Sequence, residues 1–127
     1  MKNDTNTTFQ ELSELTQKFI HERDWAKSHN PKDLAINLSV EANELLELFL
    51  WRSPEEIYTE LEKNEKFKTR IKDELADVVF GCLSFAHLTN IDISEAFRDK
   101  LAKSALKYPA SQVNTVEKYF ALKYKDK

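Results

Sequence analysis

A chain of 127 residues and 14.9 kDa is one domain by length, and its single glycine and three prolines leave no glycine-rich phosphate loop, no dinucleotide-binding fingerprint and little turn chemistry for sheets. Hydrophobic residues make up 41% and charged residues 32%, with a mean hydropathy of −0.60, which excludes a disordered chain, and no apolar run approaches the ~20 residues that span a bilayer. A net charge of −3 argues against nucleic-acid binding, the lone Cys82 excludes an internal disulfide or an all-thiolate zinc site, and MKNDTNTTFQ lacks an apolar leader, so the expectation is a cytoplasmic protein with no nucleic-acid and no membrane partner.

Periodicity predicts helices almost throughout. The first runs from about Phe9 to Arg23, with Phe9, Leu12, Leu15 and Phe19 on one stripe and a Thr8/Glu11 capping box at its start. A polar connection, RDWAKSHNP, follows. The second helix opens with Asn30 as cap, Pro31 at the first helical position and Asp33 in the first turn, and is expected to continue to about Trp51. Ser53-Pro54-Glu55-Glu56 repeats that grammar for a short helix ending near Glu62. A long helix from about Glu65 to Leu88 sets Phe67, Ile71, Leu75, Val78, Cys82 and Phe85 along one seam. Asp92 and Glu95 cap a last long helix to about Lys107, stopped by Tyr108-Pro109. The closing ten residues, KYFALKYKDK, hold four lysines and one aspartate and read as a solvated, partly frayed basic tail.

No alternating strand pattern and no internal repeat is present. The fold class is therefore all-α: a four-helix bundle with a short extra helix, in a single domain spanning 1–127 with its core over about 9–109 and a basic tail over 110–127. Within the second helix Leu34, Ile36, Leu38, Val40, Leu46, Phe49, Leu50 and Trp51 point in most directions. A helix apolar nearly all round is buried nearly all round, which predicts a homo-oligomer with this helix at or near the subunit interface.

Two acidic pairs stand out by their company. Six pairs of acidic residues lie three apart, and pairs such as Glu11/Glu14 or Glu62/Glu65 are solvated helix faces. Glu41/Glu44 and Glu74/Asp77 differ. With Glu41 set at 0° and about 100° per residue, Glu44 falls at about −60° between Leu34, Leu45, Leu48 and Trp51. Glu74 and Asp77 share a sector with Phe67, Gly81, Phe85 and Leu88. Ionised groups in such surroundings need a counter-charge, and no equal number of lysines or arginines occupies these faces. Two such helices facing one another would gather four carboxylates in a semi-buried cleft. An all-carboxylate set favours Mg²⁺, then Mn²⁺, over zinc or copper, and the Glu-x-x-His of di-iron bundles is missing after Glu44 and Glu74. The competing reading is that of ordinary helix-surface carboxylates. Gly81, mid-helix on the carboxylate face, either leaves room for a ligand beside Asp77 or allows close helix packing.

Arg23-Asp24-Trp25, His29-Asn30-Pro31, Glu41-Ala42-Asn43-Glu44 with the apolar run to Trp51, Glu74-Leu75-Ala76-Asp77-Val78 and Lys107-Tyr108-Pro109, in that order, resemble the MazG-like all-α nucleoside triphosphate pyrophosphohydrolases. The small single-domain branch containing dCTP pyrophosphatase is the most similar part of that family, and the resemblance spans about Phe9 to Pro109. It implies Mg²⁺-dependent hydrolysis of (deoxy)nucleoside triphosphates to the monophosphate and pyrophosphate, in a homodimer or homotetramer. Glu41, Glu44, Glu74 and Asp77 would hold the metal, with Glu44 also orienting the attacking water. Trp51, farther along the glutamate face, would contact the base, Trp25 and His29 would close the pocket, and Lys100, Lys107 and Tyr108 would reach the substrate.

Each of these residues also has a plainer reading. Trp51 is core packing, Trp25 covers a helix end, His29 is a loop histidine, the lysines (with Lys103) form a solvated face, and Tyr108 plugs a helix end. The chain also departs from the dCTP-directed pattern at Gly81, where a tyrosine is expected, and at Ser104, where an asparagine is expected. Both departures leave the reaction class intact and the preferred nucleotide open. A pocket enlarged at Gly81 would admit a bulkier base or a non-standard nucleotide. Two other readings remain: a non-catalytic helical oligomeric adaptor, and a dUTPase-like hydrolase with another base preference.

Overall fold

Each long helix begins where a side-chain oxygen replaces a missing helical acceptor. In the computed structural model, which describes residues 1–127, Thr8 accepts from the Glu11 amide at 3.2 Å and Glu11 accepts from the Thr8 amide at 2.7 Å, opening α1 (Phe9–Glu22). A short 3₁₀ turn, Ala26–Ser28, leads to Asn30, which accepts from the Asp33 amide at 3.0 Å and starts α2 (Pro31–Glu47). Ser53 and Glu56 form the second capping box ahead of α3 (Pro54–Lys63), and Asn64 caps α4 (Glu65–Leu88) through the Phe67 amide. These helices make up the first of two compact units, Met1–Ile91.

Within it α4 is the spine, and α1, α2 and α3 all pack against it. Ile20, Leu34, Leu48, Phe67, Leu83 and Ala86 are the buried apolar residues, and Phe49 meets Phe67 edge-on at 6.1 Å between ring centres. The buried face of α1 runs through Thr16 and Ile20, so Phe9, Leu15 and Phe19 of the expected stripe remain exposed in the single chain. On α4, Leu75 and Cys82 are exposed while Leu83, Ser84 and Ala86 are buried. Phe67, Ile71, Val78 and Phe85 of the expected seam are buried or half-buried, but a helix covered from three directions has no single seam, so one stripe does not describe all that it buries.

The second helix is shorter than expected. Its last turn tightens through i→i−3 bonds, Leu48 N–H to Leu45 O at 3.3 Å and Phe49 N–H to Leu46 O at 2.9 Å. Trp51 then takes a left-handed conformation (φ 67°), and Ser53-Pro54 begins the next helix. Trp51 is therefore not on the helical face of the glutamates, as expected above, but in the turn after it.

The second unit spans Asp92–Lys127. Asp92 caps α5 (Ile93–Lys107) by accepting from the Glu95 amide at 2.9 Å, and the Tyr108 amide closes it on Ser104 O at 2.7 Å. A 3₁₀ turn, Ala110–Gln112, and a Thr115 cap lead into α6 (Val116–Lys123). So a helix stands where a frayed tail is expected. Its aromatic residues hold it: Tyr108 and Tyr119 rings lie 5.3 Å apart, and Phe120 stacks on Tyr124 at 5.9 Å. All six α-helices are joined without any strand, and none is long and apolar enough to cross a membrane.

Candidate metal centre and adjoining cavity

Three residues apart on a helix means one face, and the packing of α2 on α4 turns the two acidic faces toward each other. Glu41, Glu44 and Glu74 bring one carboxylate oxygen each to within 4.8 Å of one another. Asp77, one turn beyond Glu74, lies outside this tight trio, yet its charge presses on both Glu41 and Glu74. None of the chain's four ion pairs involves these residues.

Burial of the carboxyl raises Glu41 above its ordinary value, and the negative charges of Glu44, Asp77 and Glu74 push the same way. Glu74 is raised chiefly by burial and then by Glu44 and Asp77, with Arg70 opposing them weakly. The Oε2 atoms of Glu41 and Glu74 are buried and have no hydrogen-bond partner. An acceptor-only group buried without a donor is unfavourable, and a hard divalent cation with an all-oxygen shell is the partner that such a donor set fits.

Glu41 and Asp77 also line a cavity of about 720 Å³ between α1, α2 and α4. Its wall is aromatic on one side, where Phe19 meets Trp25 at 5.6 Å and Phe80 at 5.8 Å, both edge-on. His29 and Asn37 line it as well. Thr16 and Ser84, the only two buried polar residues of the chain (5% and 4% exposed), face the same space from α1 and α4. Each donates its hydroxyl proton to the carbonyl one turn back, Thr16 to Leu12 and Ser84 to Phe80, both at 2.9 Å.

Trp25, His29, Glu41 and Asp77 thus come together at one cavity, with Glu44 and Glu74 beside it. Trp51 is not among its residues and stands 98% exposed. Lys100, Lys107 and Tyr108 belong to the second unit, where Lys107 Nζ lies 5.3 Å from the centre of the Tyr108 ring. Thr16, Phe19, Asn37, Phe80 and Ser84 were not expected at the site. They come from three helices, and no local pattern joins them. Only the spacing of Asn37 and Glu41 on α2, and of Asp77, Phe80, Gly81 and Ser84 on α4, carries a signal, since each set shares a helical face.

Gly81 lines the cavity beside Asp77, and on its α2 side it serves close packing. A Cβ there would meet Leu38 Cδ1 at 3.1 Å, so Leu38 already fills the space.

A family model described as MazG-like matches residues 36–121. dCTP pyrophosphatase 1 of Rattus norvegicus is 30% identical over 102 residues, covering 80% of this chain and 59% of that protein. The Homo sapiens dCTP pyrophosphatase 1 is 29% identical over 103 residues, with 81% and 60% covered. The chain thus spans about three-fifths of the length of the curated relatives it matches. A crystal structure of a pyrophosphatase from Archaeoglobus fulgidus superposes with a TM-score of 0.73 at 34% identity, covering 86% of this chain and 99% of the other.

Proposed function

The chain belongs to the MazG-like family, and on that premise we propose that it hydrolyses (deoxy)nucleoside triphosphates to the monophosphate and pyrophosphate in nucleotide-pool house-cleaning. The observation that carries this reading is the Glu41, Glu44, Glu74 trio, with buried and unpartnered oxygens, beside a cavity with an aromatic wall. A purely structural bundle has no use for such a centre, since replacing buried charges by apolar residues is commonly neutral or stabilising. The names of the relatives support the same reaction class.

Glu41, Glu44, Glu74 and Asp77 would hold Mg²⁺, for which Mn²⁺ could substitute. When bound, such a cation neutralises phosphate charge and supports in-line attack by water. Glu44, the exposed member of the trio, orients the attacking water and accepts its proton. Trp25 and His29 enclose the nucleoside, and Trp51, which lies outside this cavity in the single chain, is the further residue proposed to contact the base. Lys100, Lys107 and Tyr108 supply charge and a hydroxyl to the phosphates and sugar.

The working state is a homodimer or homotetramer in the cytoplasm. Support for the assembly is the apolar surface of α2 and the turn after it, where Ile36, Val40, Leu46 and Leu50 are exposed in the single chain. The test of the activity is pyrophosphate release from a panel of nucleoside triphosphates with and without Mg²⁺. Release that needs the cation is expected, and no release from any nucleotide overturns the reading.

A further inference from the structure

The chain's single glycine sits in the middle of α4, where glycine is less favourable than alanine, so a close approach has to require it. That approach is to Leu38 of α2. A Cβ at Gly81 would lie 3.1 Å from Leu38 Cδ1 and 3.6 Å from both its Cα and Cβ.

The two helices run past each other in opposite directions. Gly81 opposes Leu38, Glu74 comes within chelating reach of Glu41 and Glu44, and Phe67 meets Phe49 farther along. On α4, Gly81 is four residues from Asp77 and seven from Glu74. On α2, Leu38 is three residues before Glu41. The contact that the glycine permits therefore lies one turn from Asp77 and Glu41 and about two turns from Glu74 and Glu44, and it sets how closely the two backbones run there.

We propose that Gly81 is a positioning residue for the carboxylate centre: by admitting Leu38 against the α4 backbone it keeps Glu74 within chelating distance of Glu41 and Glu44 and holds Asp77, one turn away on the same helix, beside them. The inference rests on the reading of those four carboxylates as metal ligands. Its physical basis is stiffness. Helices move as units, and a cation such as Mg²⁺ demands near-ideal ligand distances, so an axis shift of a few tenths of an ångström is felt at the ligands. A side chain at position 81 either displaces Leu38 or separates α2 from α4.

The experiment titrates the full chain with Mn²⁺ alone by calorimetry, beside the melting temperature of the metal-free protein. Gly81→Val is expected to weaken Mn²⁺ binding about tenfold or more, the scale on which groups that only orient ligands act. Leu38→Ala in that background makes room for the new side chain and is expected to restore most of the loss. Gly81→Ala covers the case in which the valine variant fails to fold. Its Cβ needs Leu38 to give by only a few tenths of an ångström, and its better helix propensity offsets that cost, so the metal-free melting temperature is expected to change little while Mn²⁺ binding weakens, a split that a merely structural glycine does not produce. Unchanged Mn²⁺ affinity in both variants, or a loss that Leu38→Ala does not restore, overturns the inference alone. Absence of Mn²⁺ binding by the unaltered protein overturns the metal reading, and the inference with it.

Discussion

Glu41 on α2 and Glu74 on α4 each hold one buried oxygen, Oε2, with no hydrogen-bond partner, although the two residues belong to helices that pack face to face. Together with Glu44 they form a group of like charges that the packing of α2 on α4 keeps close. Without a cation that closeness works against the fold, and a bound divalent ion reverses the sign.

The pH dependence of stability follows from that sign. Glu41 and Glu74 are both raised above the ordinary value of 4.5, by burial first and neighbouring carboxylates second. A raised pKa means that the folded state holds its proton more tightly than the unfolded chain. Their stabilising contribution is therefore complete below pH 4.5 and is lost as pH rises through the raised values. In chelator, the melting temperature is expected to fall over this range. Near pH 7, adding Mg²⁺ or Mn²⁺ is expected to recover it, because an ion that binds only the folded state stabilises by mass action. Melting curves across pH, with and without metal, check both arms; a Glu41→Gln/Glu74→Gln variant should flatten the metal-free curve.

Glu44→Ala separates catalysis from folding. Removing this carboxylate takes one negative charge from the trio, so the metal-free melting temperature is expected to hold or rise. Catalysis is expected to fall by about 100-fold or more in kcat, the size of effect seen when one preorganised electrostatic group is lost from an active site. Parallel measurement of pyrophosphate release and melting temperature decides the matter. Retained activity would remove Glu44 from the machinery.

Helix starts were legible because caps are local: Thr8 with Glu11, Asn30, Ser53 with Glu56, and Asp92 each act within four residues. That each acidic pair shares one helical face was legible for the same reason, since spacing alone sets it, whereas their meeting depends on the packing of α2 on α4. The end of α2 was not. Leu48, Phe49, Leu50 and Trp51 continue an apolar run with no glycine to stop it, and what stops it is tertiary. Phe49 docks against Phe67, and the Arg52 guanidinium lies 4.3 Å above the same ring. The cavity lining was hidden likewise, because Thr16, Asn37 and Ser84 come from three helices and meet only once these pack. The lysines of the last segment disguised α6, whose aromatic contacts reach back to Tyr108.

Trp51 offers a test of role against packing. A bulky residue held at φ 67° and 98% exposed carries strain without burial in the single chain. Trp51→Gly removes strain of roughly 1–2 kcal/mol and is expected to leave the melting temperature unchanged or higher. Deleting a buried tryptophan would instead be destabilising by about 3–5 kcal/mol. For the nucleotide, KM is expected to rise several-fold while Mn²⁺ affinity stays the same. A fall in stability of the buried size would make Trp51 a structural residue, and an unchanged KM would remove it from the base contact.

The outward side of α2 carries the last prediction. Leu34, Leu38, Leu45 and Leu48 share the side of the segment that is buried or half-buried, while Ile36 and Val40 point away from it and are 51% and 47% exposed. Exposed aliphatic residues one turn apart on a helix otherwise packed into a core are the mark of a surface that another chain covers. At micromolar concentration the protein is expected to sediment as a dimer or tetramer. Ile36→Lys/Val40→Lys is expected to shift it toward monomer, because charges in the middle of an apolar contact are desolvated without partners. Sedimentation velocity on both proteins, with helical content followed by circular dichroism, separates dissociation from unfolding. A monomeric parent protein, or a double variant that sediments unchanged, would place the subunit contact elsewhere or nowhere.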